Sequence, residues 1–188
     1  MKDNITLRPA NINDASAIGR AIVMAVGEEI ISTLGDPKAV EQMFADLAAR
    51  SDTQYSWCNT IVAVAEDGTV AGVAVAYDGA LLDTLRRPFF AEMTSRFNKD
   101  MCDVSDETDA SEMYLDTLAV MPDYRRRGIA RQLIDATASR AAAIGKPLGL
   151  LVDKDNDKAR QLYTSAGFVY VGERPFAYTL MDHLLKNS

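Results

Sequence analysis

The chain has 188 residues, a formal net charge of −7 and a hydrophobic share of 48%, which suits a single domain, residues 1–188, with a buried core. No apolar run reaches the roughly 18 residues of a membrane span. Met1-Lys2-Asp3-Asn4 is followed by no apolar signal core, so a cytoplasmic protein with no membrane partner is expected. The acidic balance disfavours nucleic acid and favours cationic small molecules or basic peptide segments as partners.

In chain order, residues 5–8 alternate and end at Pro9, which predicts a first strand. Asn11 or Asn13 caps a helix running to about Glu29, with Ile12, Ala15, Ile18 and Ile22 on one face. Asp36-Pro37 is a cap followed by a proline at the first helical position, opening a helix to about Arg50 with Val40, Met43, Phe44 and Leu47 as its apolar stripe. Residues 60–77 read as a hairpin around Glu66-Asp67-Gly68-Thr69. Residues 80–99 look helical, broken at Pro88, and the acidic run 103–109 reads as a loop, solvated or facing a site.

A strand is predicted over residues 112–121, ended by Pro122, then a helix over 128–143, a short strand over 148–152 and a helix over 156–165 closed by Gly167. Residues 168–172 and 176–181 supply the last two strands. Helices interrupting mainly sequential strands give an α/β (α+β) sheet covered by helices. Cys58 and Cys102 stand far from each other and from His183, the one histidine. A zinc site needs about four such ligands, so no metal is expected. His183 reads as a surface or end residue, not half of a catalytic dyad.

The informative segment runs from Leu118 through Ala119, Val120, Met121, Pro122, Asp123, Tyr124, Arg125, Arg126, Arg127, Gly128, Ile129 and Ala130 to Arg131. A strand ends, a turn comes next, and a basic loop with one glycine enters a helix. The first turn of a helix has N–H groups without internal partners and carries partial positive charge. Gly128 removes the Cβ that would keep a pyrophosphate away, Ala130 keeps the next turn small, and arginines add charge-assisted bonds. A solvated arginine cluster is the alternative reading of the same residues. There is no Gly-Lys-Ser/Thr and no Gly-x-Gly-x-x-Gly, so neither a P-loop nor a dinucleotide fingerprint is present.

Arg125-x-x-Gly128-x-Ala130 resembles the Arg/Gln-x-x-Gly-x-Gly/Ala signature of the GNAT superfamily of N-acetyltransferases. The run from Asn156 through Ala159, Leu162 and Tyr163 to Gly167-Phe168 resembles that family's second motif, and the clear resemblance covers about residues 112–168. It implies a mixed, mostly antiparallel central sheet with splayed fourth and fifth strands and helices on both faces. It also implies acetyl-CoA as co-substrate and acetyl transfer to an amine by direct attack in a ternary complex, and it allows a homodimer. By position, Leu118 and Val120 would pair with the pantetheine amides around Ala119, and Arg126 to Arg131 would line the pyrophosphate. Asn156 would bond the pantetheine arm, a role compatible with capping its helix.

By the same resemblance, Tyr163 stands at the place of a general acid for the leaving thiolate; the alternative is an aromatic packed on the core. Leu151 occupies a position where relatives that modify N-termini carry a glutamate, so the base lies elsewhere. Glu112, Tyr114, Asp116 and Leu118 share one face by the period-2 rule unless a bulge shifts the parity. Asp116 or Glu112 is therefore the candidate base, or Asp116 simply bonds the sheet backbone. Glu28, Glu29, Tyr77, Asp78 and the acidic run 103–109 would surround a cationic amine. A small cationic molecule or a lysine or N-terminal amine fits; a non-catalytic acetyl-CoA sensor is the competing class.

Overall fold

The structure is a computed structural model that describes residues 4–176 and 179–187, with residues 28–30 in backbone only. Strand β1 (Thr6–Pro9) leads into a 3-10 turn whose N-cap is Asn11, accepting from the Asn13 N–H at 2.9 Å. The turn residue Asp14 accepts from the Asn11 N–H at 2.8 Å and from Arg8 at 2.7 and 2.9 Å. Helix α1 spans Ala15–Val26. It stops short of Glu29 because Gly27 takes φ +91°; a separate helix α2, Glu28–Leu34, comes next. Helix α3 (Pro37–Ala48) starts as its sequence demands: the Asp36 side chain accepts from Lys38 N–H, with Pro37 in the first turn. Such a cap contributes about 1 kcal/mol.

Strands β2 (Thr60–Val64) and β3 (Val70–Asp78) form the expected hairpin. The next helical stretch is two pieces, α4 (Leu82–Leu85) and α5 (Arg87–Phe97). Pro88 sits in the first turn of α5, where its missing N–H costs nothing. The chain continues with strand β4 (Met113–Val120), helix α6 (Ile129–Ala143), strand β5 (Leu148–Val152) and helix α7 (Asp157–Ser165). The final strands are β6 (Val169–Phe176) and β7 (Thr179–Lys186). They correct the expected strands over 168–172 and 176–181: the chain stays extended through Phe176 and again to Lys186, and the expected second strand straddles the junction.

The seven strands lie in the order β1-β2-β3-β4-β5-β7-β6, and every neighbouring pair is antiparallel except β4–β5. Alternation along the strands supplies two apolar faces. Val62, Val73, Val75 and Ala119 meet Ile18 and Ile22 of α1 and Met43 and Leu47 of α3. Ile61, Ala74, Leu148 and Leu150 meet Ile129, Leu133 and Ile134 of α6 on the other. Helices thus cover both faces. No helix among the described residues is long and apolar enough to cross a membrane.

Strand β4 has two irregularities. Its register with β3 shifts between Val75↔Thr117 and Ala76↔Leu115, which leaves Asp116 as the extra residue of a β-bulge. Its parallel pairing with β5 consists of Met113↔Leu148 and Tyr114↔Gly149, after which the strands part. Met121 N–H bonds Ala71 O at 2.9 Å. By antiparallel alternation Ala119 and Thr117 then face β3, and Leu118 and Val120 turn their backbone groups into the gap.

Candidate active site

The bulge overturns the shared face expected for Glu112, Tyr114, Asp116 and Leu118. Before it, Tyr114 packs with Tyr77 and Leu82. After it, Leu118 and Val120 pack against the α6 side of the sheet. The extra residue inverts the parity, and Asp116 stands at the inversion.

Asp116 keeps part of its surface open. Its Oδ1 accepts from Thr117 Oγ1 at 2.8 Å and its Oδ2 from Gln54 Nε2 at 3.5 Å. Burial of the carboxyl, with the charge of Glu107 next in importance, pushes its pKa up to about 7 against the two hydrogen bonds that stabilise the anion. Glu107 is itself buried, and its Oε1 accepts from the Tyr77 hydroxyl at 2.8 Å and from Gln54 Nε2 at 3.3 Å. Tyr55, Tyr77 and Tyr114 surround these acids, and burial followed by the Asp116 charge raises all three phenols well above their ordinary pKa. The acidic run 103–109 is therefore mixed: Glu107 and Thr108 are buried in it, while Asp103 and Asp106 are exposed. Asp78 caps a turn through Ala80 N–H and pairs with Lys146. The side chains of Glu28 and Glu29 lie outside the described residues. Gln54, which precedes β2 in irregular chain, carries no local signal of its role.

Glu112 is fully buried and engaged on both oxygens: Thr108 Oγ1 donates to Oε1 at 2.7 Å, and His183 Nε2 lies 2.7 Å from Oε2. His183 corrects its expectation as a surface residue, since it is 8% exposed within β7. Arg174 Nε donates to His183 Nδ1 at 3.3 Å, which places the ring proton on Nε2, facing Glu112. These bonds occupy Glu112 in holding β4, β7 and the 103–109 run together.

Tyr163 projects from α7 and packs edge-on against Phe168, with ring centroids 5.6 Å apart. Burial pushes its phenol up to about 12, so it stays protonated at neutral pH. It lies close enough to Tyr114 to act on it electrostatically.

At the far end of the gap, Gly128 caps α6 in the left-handed region with φ +80°, and a Cβ built there meets nothing within 4 Å. Arg126 is also left-handed, with φ +63°; such backbone forms anion-binding nests. The first turn of α6 has neither a side-chain cap nor an acidic residue, so the N–H groups of Ile129, Ala130 and Arg131 are left to an anion. The arginine side chains are partly engaged. Arg125 Nε donates to Val120 O at 3.1 Å, Arg127 donates to Asp123 O at 2.7 Å and stacks on Tyr124, and Arg131 reaches Ser165 O at 2.7 Å and Asp135. Asn156 caps α7, its Oδ1 accepting from Ala159 N–H at 3.1 Å. An open backbone edge leading to an uncapped helix start fits the amides and pyrophosphate of a CoA-type donor. Among the described residues no group of three or more His, Cys, Asp and Glu is arranged to hold a metal ion.

The family model described as "Acetyltransferase (GNAT) family" matches residues 28–168. Among solved structures, one described as "The crystal structure of acetyltransferase" is 30% identical, with 97% of this chain and 98% of that chain covered and a TM-score of 0.78. An N-acetyltransferase from Staphylococcus aureus Mu50 is 20% identical, covers 96% of this chain and 99% of its own, and has a TM-score of 0.81. A structure described as "histone acetyltransferase HPA2 and related acetyltransferase" from Corynebacterium glutamicum ATCC 13032 is 21% identical over 97% and 96% of the two chains, with a TM-score of 0.69. Among curated proteins none matches the sequence significantly. With three quarters of its length matched by the family and a 30% identical relative along nearly all of it, the chain belongs to the GNAT family of N-acetyltransferases.

Proposed function

We propose that the chain, as a single domain, transfers an acetyl group from acetyl-CoA to a primary amine of a small cationic molecule or of a lysine or N-terminal residue. The observation that carries this reading is the order of features along one strand. β4 offers a carboxyl with a raised pKa at its bulge, then a backbone edge without a strand partner, then a turn into an uncapped helix N-terminus. In this reading the gap-facing backbone of Leu118 and Val120 holds the pantetheine arm. Gly128, Ile129, Ala130 and the neighbouring arginines hold the pyrophosphate, and Asn156 borders the arm from α7.

Acetyl-CoA supplies a thioester as acyl donor. Asp116, ionised above about pH 7, takes a proton from the acceptor ammonium and frees its lone pair for the carbonyl carbon. Tyr163 gives its phenolic proton to the leaving sulfur as the C–S bond breaks and the C–N bond forms. It regains a proton from the product nitrogen through solvent, so the net release is one proton and free thiol. Glu112 is a scaffold residue in this scheme, because its oxygens are already committed to His183 and Thr108.

The test is free-thiol release from acetyl-CoA across a panel of primary amines, with and without protein. Amine-dependent release supports the reading. Tight CoA binding with no release on any amine would instead mark a sensor that holds the donor without turning it over.

A further inference from the structure

A cleft lies on the other flank of α6. Its volume is about 380 Å³, within the range of roughly 300–1,000 Å³ for small-molecule sites. Strands β1 and β2 and helix α6 wall it, whereas the gap read above as the donor site opens between β4 and β5, beyond β3. Leu7, Pro9, Ile61 and Ala136 make its walls apolar, and Pro9 and Ile61 are cross-strand partners. Arg140 lines it from the last turn of α6. That places the guanidinium about 18 Å along the helix from Gly128, out of reach of a pyrophosphate held there.

Arg140 is short of partners. Its Nη1 donates to Asn59 O at 3.2 Å. Among the described residues the rest of the fork has no hydrogen-bond partner and no carboxylate beside it. Burial alone acts on its pKa and lowers it. The other half-buried arginines among the described residues, Arg8, Arg86, Arg160 and Arg174, each pair with an acid. Withdrawing an uncompensated cation from water is costly. The negative end of the α6 dipole offsets part of the charge but accepts none of its N–H groups. The neighbours do not compete for a guest. Asp14 holds the fork of Arg8 at 2.7 and 2.9 Å, and the Thr60 hydroxyl donates to Ser56 O at 2.9 Å.

We propose that this cleft binds a small organic carboxylate, with Arg140 holding its two oxygens and the apolar walls its body. A planar guanidinium with free N–H groups matches a carboxylate in a two-pronged bond. Walls of Leu7, Pro9, Ile61 and Ala136 favour a ligand whose remainder is hydrocarbon or aromatic. Inorganic phosphate has no apolar part to set against them and is rejected. The site is separate from the β4–β5 gap, so it fills whether or not CoA is bound, and its occupancy does not depend on acetyl transfer. The exposed Cys58 borders the same cleft, and a bound guest covers its thiol.

The experiment follows alkylation of Cys58 by iodoacetamide, a neutral reagent, using peptide mass spectrometry. Cys102, exposed and outside this cleft, is the internal reference. The probes are sodium benzoate, benzamide and inorganic phosphate at matched ionic strength. Benzoate should slow Cys58 alkylation saturably and leave Cys102 unchanged. Benzamide has the same shape without the charge, and should need about tenfold higher concentrations or more for the same protection. Arg140→Met should raise the half-protecting benzoate concentration by a similar factor. Saturating CoA should leave the protection in place. The comparison of benzoate with benzamide uses wild type, so it stands even where the variant folds poorly. No saturable protection by benzoate, equal protection by benzamide or phosphate, or an undiminished effect in folded Arg140→Met would overturn the proposal. Loss of protection on adding CoA would also overturn it, by assigning benzoate to the donor site.

Discussion

Glu112 Oε2 lies 2.7 Å from His183 Nε2, across β5 at the one position where that strand has no side chain to interpose. A Cβ on Gly149 would collide with the same oxygen. The pair links β4 to β7, and Thr108 and Arg174 extend it to the 103–109 run and to β6. His183→Phe removes the ring donor and leaves a buried carboxyl oxygen without its hydrogen bond, a change that costs about 3 kcal/mol. Gly149→Ala forces Glu112 aside, an overpacking penalty of about 1–3 kcal/mol. For a chain of this size each kcal/mol lowers the melting temperature by about 2–4 °C. Thermal melts should rank parent, Gly149→Ala and His183→Phe in that order; an unshifted His183→Phe would mean the pair bears no weight.

Tyr163→Phe keeps the ring against Phe168 and removes one hydroxyl. With its pKa near 12, the phenol holds its proton throughout the assay range. As the acid for the leaving sulfur, its loss should lower kcat by roughly 10² to 10⁴ while acetyl-CoA binding changes by about 1 kcal/mol. Parallel losses in turnover and binding would assign the hydroxyl to positioning the thioester.

Asp116→Asn should lower the rate and abolish the rise in kcat/KM centred near pH 7. The same residue has a signature in stability. Its folded pKa of about 7 lies above that of an exposed aspartate, about 3.9. The native state thus keeps a proton that the unfolded chain has lost. Stability that is full below about pH 4 declines as the pH rises through 7. Asp116→Asn, which cannot ionise, should gain on the parent between pH 4.5 and pH 8 by on the order of 3 kcal/mol, readable in denaturant melts at the two pH values. A parallel pH dependence for both proteins would contradict the raised pKa.

Gly128→Glu should abolish the rise in melting temperature that CoA produces in the parent, because its carboxylate enters the open space into which the cap points. Gly128→Asn separates charge from backbone: asparagine tolerates the left-handed region, so it should retain most of the CoA response. Retention by both variants would place the pyrophosphate elsewhere.

Punctuation in the chain was legible wherever one residue acts on its neighbours. Asp36-Pro37 announced α3, and the apolar run Leu148–Val152 is β5 at those residues. The glycine-containing turn into α6 likewise declared itself. What escaped depended on partners distant in sequence. Nothing near His183 signals that β7 will pass Glu112, which is 71 residues away. Gln54 has no periodic neighbours, and its partners lie 53 and 62 residues on. The bulge at Asp116 was foreseeable as a possibility, but its position is set by the pairing of β4 with β3, and one extra residue changes which side chains share a face.

The parting of β4 from β5 also divides the sheet's backbone into two classes of amide. Ala119 and Thr117 lie in the ladder with β3, whereas Leu118 and Val120 face a strip without a strand. In the free protein the amides of Leu118 and Val120 should exchange with deuterium well ahead of that of Ala119, one residue from each. A bound pantetheine arm would act as a surrogate strand. The alternating exchange rates would then even out, and deuterium uptake along β4 would report donor binding before any chemistry occurs.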